Sequence, residues 1–450
     1  MARVWRWSVA GVVISASIWL FIIPGLIVVR HLSDPAIRSN RIPRASWDLF
    51  RSLTPRYEVW ARERVQSGHA TTLDVEQIAA TEWPVFGSVF YLWAVELLQE
   101  EWEKDPTQFP VAPKEYARGA IEAAAALIMD PGHAKWVKDH WGDAYLDTQN
   151  FFYRALLIAG ATANHRLLGD TRYDDVLRKQ VESLSSELDA SKHGMLCDYP
   201  NECYPGDVLM GIVGIREADH VLGTDHSAFA ARAVRGFSGS LLDHRGLIPY
   251  DANDQEGTAL HGSRGCGMSY ALFTAPYVWP DRAREWYALY EKYFWQEGYG
   301  LSGFREFPND RPGYQWHMDV DSGPVVGGMG VAASAFGVAA ARVNGRFDHA
   351  YPLTAETIAF SWPLPGGTLL MPRVLSNAAH APMLGEACLL FSLSRVTAPG
   401  FEMKPGGRIP PLVWAGTALY FVLGVFFIGM EVHALRRAQN RGEGQKTMGT

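Results

Sequence analysis

Cysteine is scarce in this chain, with four among 450 residues. Four cannot build a disulfide scaffold for a chain of this length, and none of the familiar zinc spacings occurs among them. Cys197 and Cys203 lie close enough in sequence to pair in an oxidising compartment, but the short segment between them demands a tight loop, so pairing stays open. Positive charge is also short: 41 Lys and Arg against 48 Asp and Glu leave a net charge of -7. No basic patch interleaved with aromatics is present, which excludes nucleic acid as a partner. Long runs of alternating apolar and polar residues are missing as well, which argues against a sheet-based core.

What the chain does have is apolar sequence at its two ends. Residues 7–29, WSVAGVVISASIWLFIIPGLIVV, carry no charge, and residues 409–430, IPPLVWAGTALYFVLGVFFIGM, repeat the pattern. At 1.5 Å per residue each run spans a hydrocarbon core of roughly 30 Å, so one transmembrane helix is expected at each end. The first run exceeds the apolar region of a signal peptide, and no small-x-small cleavage site follows it. Two spans put both termini on one side. Arg436, Arg437, Arg441 and Lys446 after the second span favour termini inside, whereas Arg30, Arg38, Arg41 and Arg44 after the first pull the other way. Termini inside and a domain outside, periplasmic in a bacterial cell, is the expectation.

Between the spans, residues 45–400 read as all-α. Apolar residues recur at helical spacing over 115–129, 150–168, 172–188, 208–222, 281–295, 329–343 and 383–396. Short breaker clusters such as LGDTRY (168–173), LGTDHS (222–227) and VNGRFD (343–348) end several of these helices, while the other connections, 189–207, 243–266, 297–324 and 361–382, are long. Helical hairpins closing into an (α/α)6-type toroid would place the short turns on one rim and bring the long connections together at the mouth of a central cavity. A stacked solenoid is the alternative architecture.

The long connections hold the residues suited to chemistry. HGMLCDYPNECYPGD (193–207) offers Cys197 and Cys203, acids including Asp207, and the phenols Tyr199 and Tyr204, on a backbone stiffened by prolines. Asp207 is a candidate proton-transfer group, or a helix N-cap; Cys197 is a site thiol, or a small buried hydrophobe. The segment 250–270 adds His261, or an ordinary loop histidine, and Cys266; its acids lack the register of an EF-hand. In 304–325, Phe304, Tyr314 and Trp316 are expected to wall an apolar pocket, and His317, Asp319 and Asp321 to place titratable groups in it. Upstream, Glu82 precedes an aromatic helix beside Trp83, where burial would raise its pKa as a general acid requires, unless it only caps the helix. No metal or other cofactor is expected.

The middle of the chain resembles the linalool dehydratase/isomerase family. The likeness is collinear over roughly residues 115–400. It rests on ALIMDP (126–131), FYRALLIAGATANHRLLGDTRYDD (152–175), LCDYPNECYPGD running to VLGTDH (196–226), DVDSG followed by GVAASAF (319–336), and LGEACLLFSLSRVTAPG (384–400). It implies an (α/α)6 fold and cofactor-free proton chemistry on a monoterpene alcohol. The first family cysteine falls on Cys197, and the second falls near Asp207, with Cys203 offered by a shifted gap. The family histidine lands on Leu156 and a pocket tyrosine near Cys266, while Glu82 stands near the N-terminal acid. The expected partners are a small hydrophobic substrate and the membrane, with homo-oligomerisation left open. A glycan-processing toroid, predicting two carboxyls across the cavity, and a non-catalytic membrane-tethered binding protein with a plugged cavity are the competing functions.

Overall fold

The computed structural model describes residues 2–73, 78–311, 315–376 and 379–447, and 67% of the chain is helical. The N-terminal segment runs through α1 (Ala2–Ser17), one π turn (Ile18–Ile22) and α2 (Ile23–Leu32). The body begins with α3 (Arg44–Gln66), α4 (Ile78–Lys104), α5 (Pro113–Tyr116), α6 (Arg118–Met129) and α7 (Lys135–Trp141). It continues through α8 (Phe151–Leu168), α9 (Asp174–Ala190), α10 (Pro205–Leu222), α11 (Ser227–Ala233), α12 (Gly265–Thr274) and α13 (Pro280–Phe294). The last helices are α14 (Val331–Val343), α15 (Phe347–Phe360), α16 (Leu370–Leu375), α17 (Leu384–Ser394) and α18 (Pro411–Thr447).

All seven segments read as helical from periodicity are helices, because each carries an apolar face that the fold buries. The breaker clusters work through left-handed glycines: Gly169 and Gly223 sit at φ 67° and 66° directly after α8 and α10, where a Cβ would be strained. Helices outside the periodic segments include α3, α12 and α15; the internal Pro352 of α15 reads as a break although the helix continues through it.

The body is mostly helical, as the sequence reads, with a few small strands added to it among the described residues. Short antiparallel ribbons join β1 (Ala252–Asn253) to β2 (Thr258–Ala259), β3 (Trp295–Gly298) to β4 (Leu301–Phe304), and β5 (Trp316–Asp319) to β6 (Gly323–Val326) and β7 (Met329–Gly330). Strands of two to four residues are too short to leave a period in the sequence.

Six helices pack in sequence: α4 on α8, α8 on α10, α10 on α12, α12 on α14, α14 on α17, and α17 back on α4. Aromatic rings from them meet in the core, with Phe90 stacked 5.6 Å from Phe336 and Phe273 edge-on 5.1 Å from Phe391. Among the described residues, three helices are long and apolar enough to cross a membrane, Val4–Leu32, Ile78–Lys104 and Pro411–Asn440. Neighbours separate them. Two-thirds of the apolar stretch of α4 is buried inside the fold against α3, α6, α8 and α17, whereas only 22% of each terminal stretch is covered.

The terminal helices pack on each other at small residues. A Cβ on Gly424 would lie 2.5 Å from Ile22, and one on Gly25 would lie 2.9 Å from Phe421. Pro24 has no N–H, so the Leu20 carbonyl loses its helical partner; the Trp362 indole N–H donates to it instead at 2.9 Å. Trp362 holds φ at 47° to make this contact, a left-handed conformation costing a non-glycine residue roughly 1–2 kcal/mol. Its ring also lies 4.5 Å from that of Tyr420, whose hydroxyl donates to the Ala359 carbonyl at 2.8 Å.

Candidate functional site

A cavity of about 830 Å³ lies among the helices, and all four long connections contribute to its wall: Tyr199 and Tyr204, Tyr250 and Cys266, Ser302 and Asp321, and Ser361 and Met371. The first of these loops is pinned before it reaches the cavity. Cys197 and Cys203 form a disulfide, the Cys203 carbonyl accepts from Ala252 N–H, and the buried Asp198 carboxylate accepts the N–H groups of Phe152 at 2.6 Å and Tyr204 at 3.2 Å. Asp198 thereby satisfies the open first turn of α8 while its backbone closes the loop.

Glu82 sits one turn into α4, and its carboxylate accepts a hydrogen bond from the Tyr199 hydroxyl. Burial raises its pKa to about 7; the Tyr199 bond opposes this, and the charges of Asp321 and Glu202 add to it. Asp207 occupies the first turn of α10, yet Tyr204 is the N-cap residue and no side chain caps this helix. Asp207 is half-buried on the cavity wall, and burial, reinforced by Asp198, Glu82 and Asp321, holds its pKa well above the usual carboxylate range. Asp321 accepts from the Tyr250 hydroxyl, and Tyr204 donates to Glu202 at 3.0 Å. Around these polar groups stand Trp83, Phe86, Phe152 and Phe336.

On the α12 side, the Cys266 thiol donates to Glu306 at 3.1 Å. Burial, with Glu306 next in order, pushes that thiol up and keeps it protonated. Glu306 in turn pairs with Arg264 at 2.7 Å, Arg264 with Asp319 at 2.7 Å, and Asp319 with His317 at 2.9 Å. The close approach depends on Gly265, where a Cβ would fall 1.9 Å from the Arg305 carbonyl oxygen.

Of the residues singled out from sequence, seven line the cavity: Glu82, Trp83, Tyr199, Tyr204, Asp207, Cys266 and Asp321. The other described ones stand outside its lining. Cys197 and Cys203 are buried behind it in the disulfide and offer no thiol. Asp319 and His317 turn toward Arg264, because alternation along β5 sends them to one face and Trp316 and Met318 to the other. Trp316 is 75% exposed, and the His261 ring, with its side chain 72% exposed, pairs with Asp251 at 2.8 Å away from the cavity. Tyr314 lies outside the described residues, and Phe304 is a core residue stacked 4.4 Å from Tyr290.

Among the wall residues that left little trace in the sequence are Tyr270 and Glu356. Tyr270 has a buried hydroxyl with no partner among the described residues, and its only signal was a phenol one helical turn after Cys266. Glu356 on α15 accepts from Ser302 N–H at 2.6 Å, and burial raises its pKa to about 8. An acid two turns after Asp348, on the helix's mostly apolar second half, was the available signal.

Among the described residues, Glu291, Asp348 and His349 also cluster at metal-binding distance, but Arg346 at 2.6 Å from Glu291 and Lys404 at 2.8 Å from Asp348 already balance their charge. No protein-family model matches the chain, and no curated protein matches it.

Proposed function

We propose that this protein is a membrane-anchored, linalool dehydratase/isomerase-like enzyme that carries out cofactor-free acid–base dehydration or isomerisation of a hydrophobic, terpenoid-like alcohol. One observation carries the proposal: Glu82, with a pKa raised to about 7, shares a largely apolar cavity wall with Asp207, Asp321 and Cys266. A carboxyl that is substantially protonated near neutrality is what a general acid for a leaving hydroxyl requires.

The step balances as follows. Protonated Glu82 gives its proton to the substrate hydroxyl, the C–O bond breaks with its electron pair leaving on water, and positive charge develops on carbon. The Asp321 carboxylate takes a proton from the adjoining carbon, and that C–H pair becomes the new double bond. Trp83, Phe86 and Phe152 turn aromatic surface toward the cavity and stabilise the cation. Tyr199 holds Glu82 in place, and Cys266, tied to Glu306, contributes a protonated thiol to the wall rather than a nucleophile.

The architecture we propose is the (α/α)6 toroid between two spanning helices. Its support is the circuit of six helices that returns to α4, with the long connections gathered at one cavity. The periplasmic placement draws support from the Cys197–Cys203 bond, which suits an oxidising compartment. It also draws support from the arginines that follow the first span, since Arg30 approaches Asp48 and Arg41 approaches Asp105, both at 3.8 Å, as partners within the domain. The open cavity runs against the plugged core that a non-catalytic tether would have.

The test is turnover of linalool, geraniol and myrcene by the purified, detergent-solubilised protein, followed by gas chromatography. Conversion that Glu82→Gln abolishes supports the assignment; no conversion of any of the three removes the terpenoid reading.

A further inference from the structure

The cavity wall is divided. Glu82, Asp207, Tyr199 and Asp321 crowd one end, supplied by α4, α10, the loop before α10 and the β5–β6 turn, whereas the side built by α14, α15, α16 and α17 is mostly aliphatic and aromatic, with Ser334, Glu356, Thr357 and Cys388 as its polar members. Eight residues of the wall are exposed and mark where the cavity opens: the polar His140, Glu202 and Asp321, and an apolar set of Val320, Val326, Val331, Phe360 and Met371, each of the latter between 37% and 49% exposed. The apolar surface continues past them. Trp316, the cross-strand partner of Val326, and Met318 are 75% exposed, and Val374 beside Met371 is 66% exposed. A soluble surface rarely carries such a contiguous apolar rim without a partner.

The terminal helices show what covers it. Phe360 lies 3.0 Å from the position a Cβ on Gly416 would take, and Gly300, beside the wall residue Leu301, accepts from Leu412 N–H at 3.0 Å. Trp362 reaches Tyr420, nine residues along α18 from Pro411, and Leu20, twelve residues back from Leu32. At 1.5 Å per residue the Trp362 contacts lie roughly 14–18 Å inside the apolar helices, so Trp362, with Phe360 two residues before it, sits at bilayer depth.

Cavity size adds a constraint. Allowing about 30 Å³ per heavy atom, a ten-carbon alcohol needs roughly 330 Å³ and a twenty-carbon alcohol roughly 630 Å³. The larger molecule fills most of the 830 Å³ present.

We infer that the cavity mouth opens onto the lipid bilayer and takes a membrane-dissolved long-chain alcohol laterally, hydroxyl toward Glu82 and hydrocarbon chain toward α14 to α17. This rests on the proposed dehydration chemistry and on the two terminal helices as membrane spans.

Two readouts test it on the full-length protein in phosphatidylethanolamine/phosphatidylglycerol vesicles. In a Cys266→Ala, Cys388→Ala background, nitroxides are placed singly at Met318→Cys, Val374→Cys and, across the fold on α9, Lys179→Cys. The first two are expected to be at least threefold more accessible to oxygen than to a water-soluble nickel chelate, relative to position 179; equal ratios at all three would overturn the membrane-facing mouth. Separately, linalool, nerolidol and geranyllinalool, tertiary allylic alcohols of increasing chain length, are supplied at equal mole fraction in the lipid. Conversion of geranyllinalool should exceed that of linalool at least tenfold, and Met318→Glu with Val374→Glu should lower it at least fivefold in vesicles but less than twofold in detergent. Linalool reacting as fast as geranyllinalool, or equal losses in vesicles and detergent, would overturn the inference. Membrane-type accessibility with no alcohol converted would sink the dehydration chemistry and leave the mouth standing.

Discussion

Replacing Tyr199 with phenylalanine is expected to move the pKa of Glu82 upward from about 7. Burial is the largest influence on that carboxyl; next comes the Tyr199 hydroxyl, which donates to the ionised form and pulls the pKa down. A hydrogen bond to a charged group contributes about 1.5–3 kcal/mol, and about 1.4 kcal/mol corresponds to one pH unit. Loss of the phenol should therefore raise the midpoint by about one to two units, discounting any water that replaces it. Asp321→Asn removes a nearby negative charge that raises Glu82, so the same midpoint should fall, by less than about one unit. The assay is an infrared pH titration of the protonated carboxyl band in the purified protein, assigned by its loss in Glu82→Gln. With protonated Glu82 as the proposed acid, activity should decline as pH rises through its pKa, and the alkaline limb of kcat should move upward in Tyr199→Phe, while Asp321→Asn, which removes the proposed base, is read by the titration alone. A Tyr199→Phe midpoint that stays put or falls would refute the reasoning, since it would mean that the phenol does not stabilise the carboxylate.

Other perturbations give outcomes of known sign. Glu82 and Glu356 both titrate higher in the folded chain than the ordinary 4.5, so their contribution to stability is complete below about pH 4.5 and is lost as pH rises toward 7 and 8; denaturation midpoints should drop across that window, and Glu356→Gln should flatten its upper part. Replacing both Cys197 and Cys203 with serine should cost roughly 2 kcal/mol for a loop this short and lower the melting temperature, while Asp198, still anchored to Phe152 and Tyr204, should keep Tyr199 on Glu82 and its titration in place. Gly265→Ala should destabilise by about 3 kcal/mol or more, because its methyl group must displace the Arg305 carbonyl; an unchanged melting temperature would contradict the packing at Cys266. Gly424→Val should separate the terminal helices at Ile22 and lower thermal stability in detergent by about 1–3 kcal/mol.

The helices were legible in the sequence because burial on one face leaves a period, and glycines such as Gly169 and Gly223 mark where each must stop. The long connections were legible as a group, and residues from all four line one cavity. What stayed hidden was finer. Whether Asp319 or Asp321 faces the cavity turns on the register of β5, a strand of four residues set by its pairing with β6. Whether Cys197 carries a thiol depends on a loop geometry that Asp198 fixes from inside the fold. Glu356 was hidden because Pro352 disguised its helix.

The most direct measurement is oxygen exchange at the substrate hydroxyl. A tertiary allylic alcohol labelled with ¹⁸O, incubated with the protein in ordinary water and analysed by mass spectrometry, reports C–O cleavage even when the hydrocarbon product recombines with water before leaving. Loss of label that requires Glu82 and declines above pH 7 is the expected result. Full retention of label at every chain length, or loss that persists in Glu82→Gln, would contradict the account.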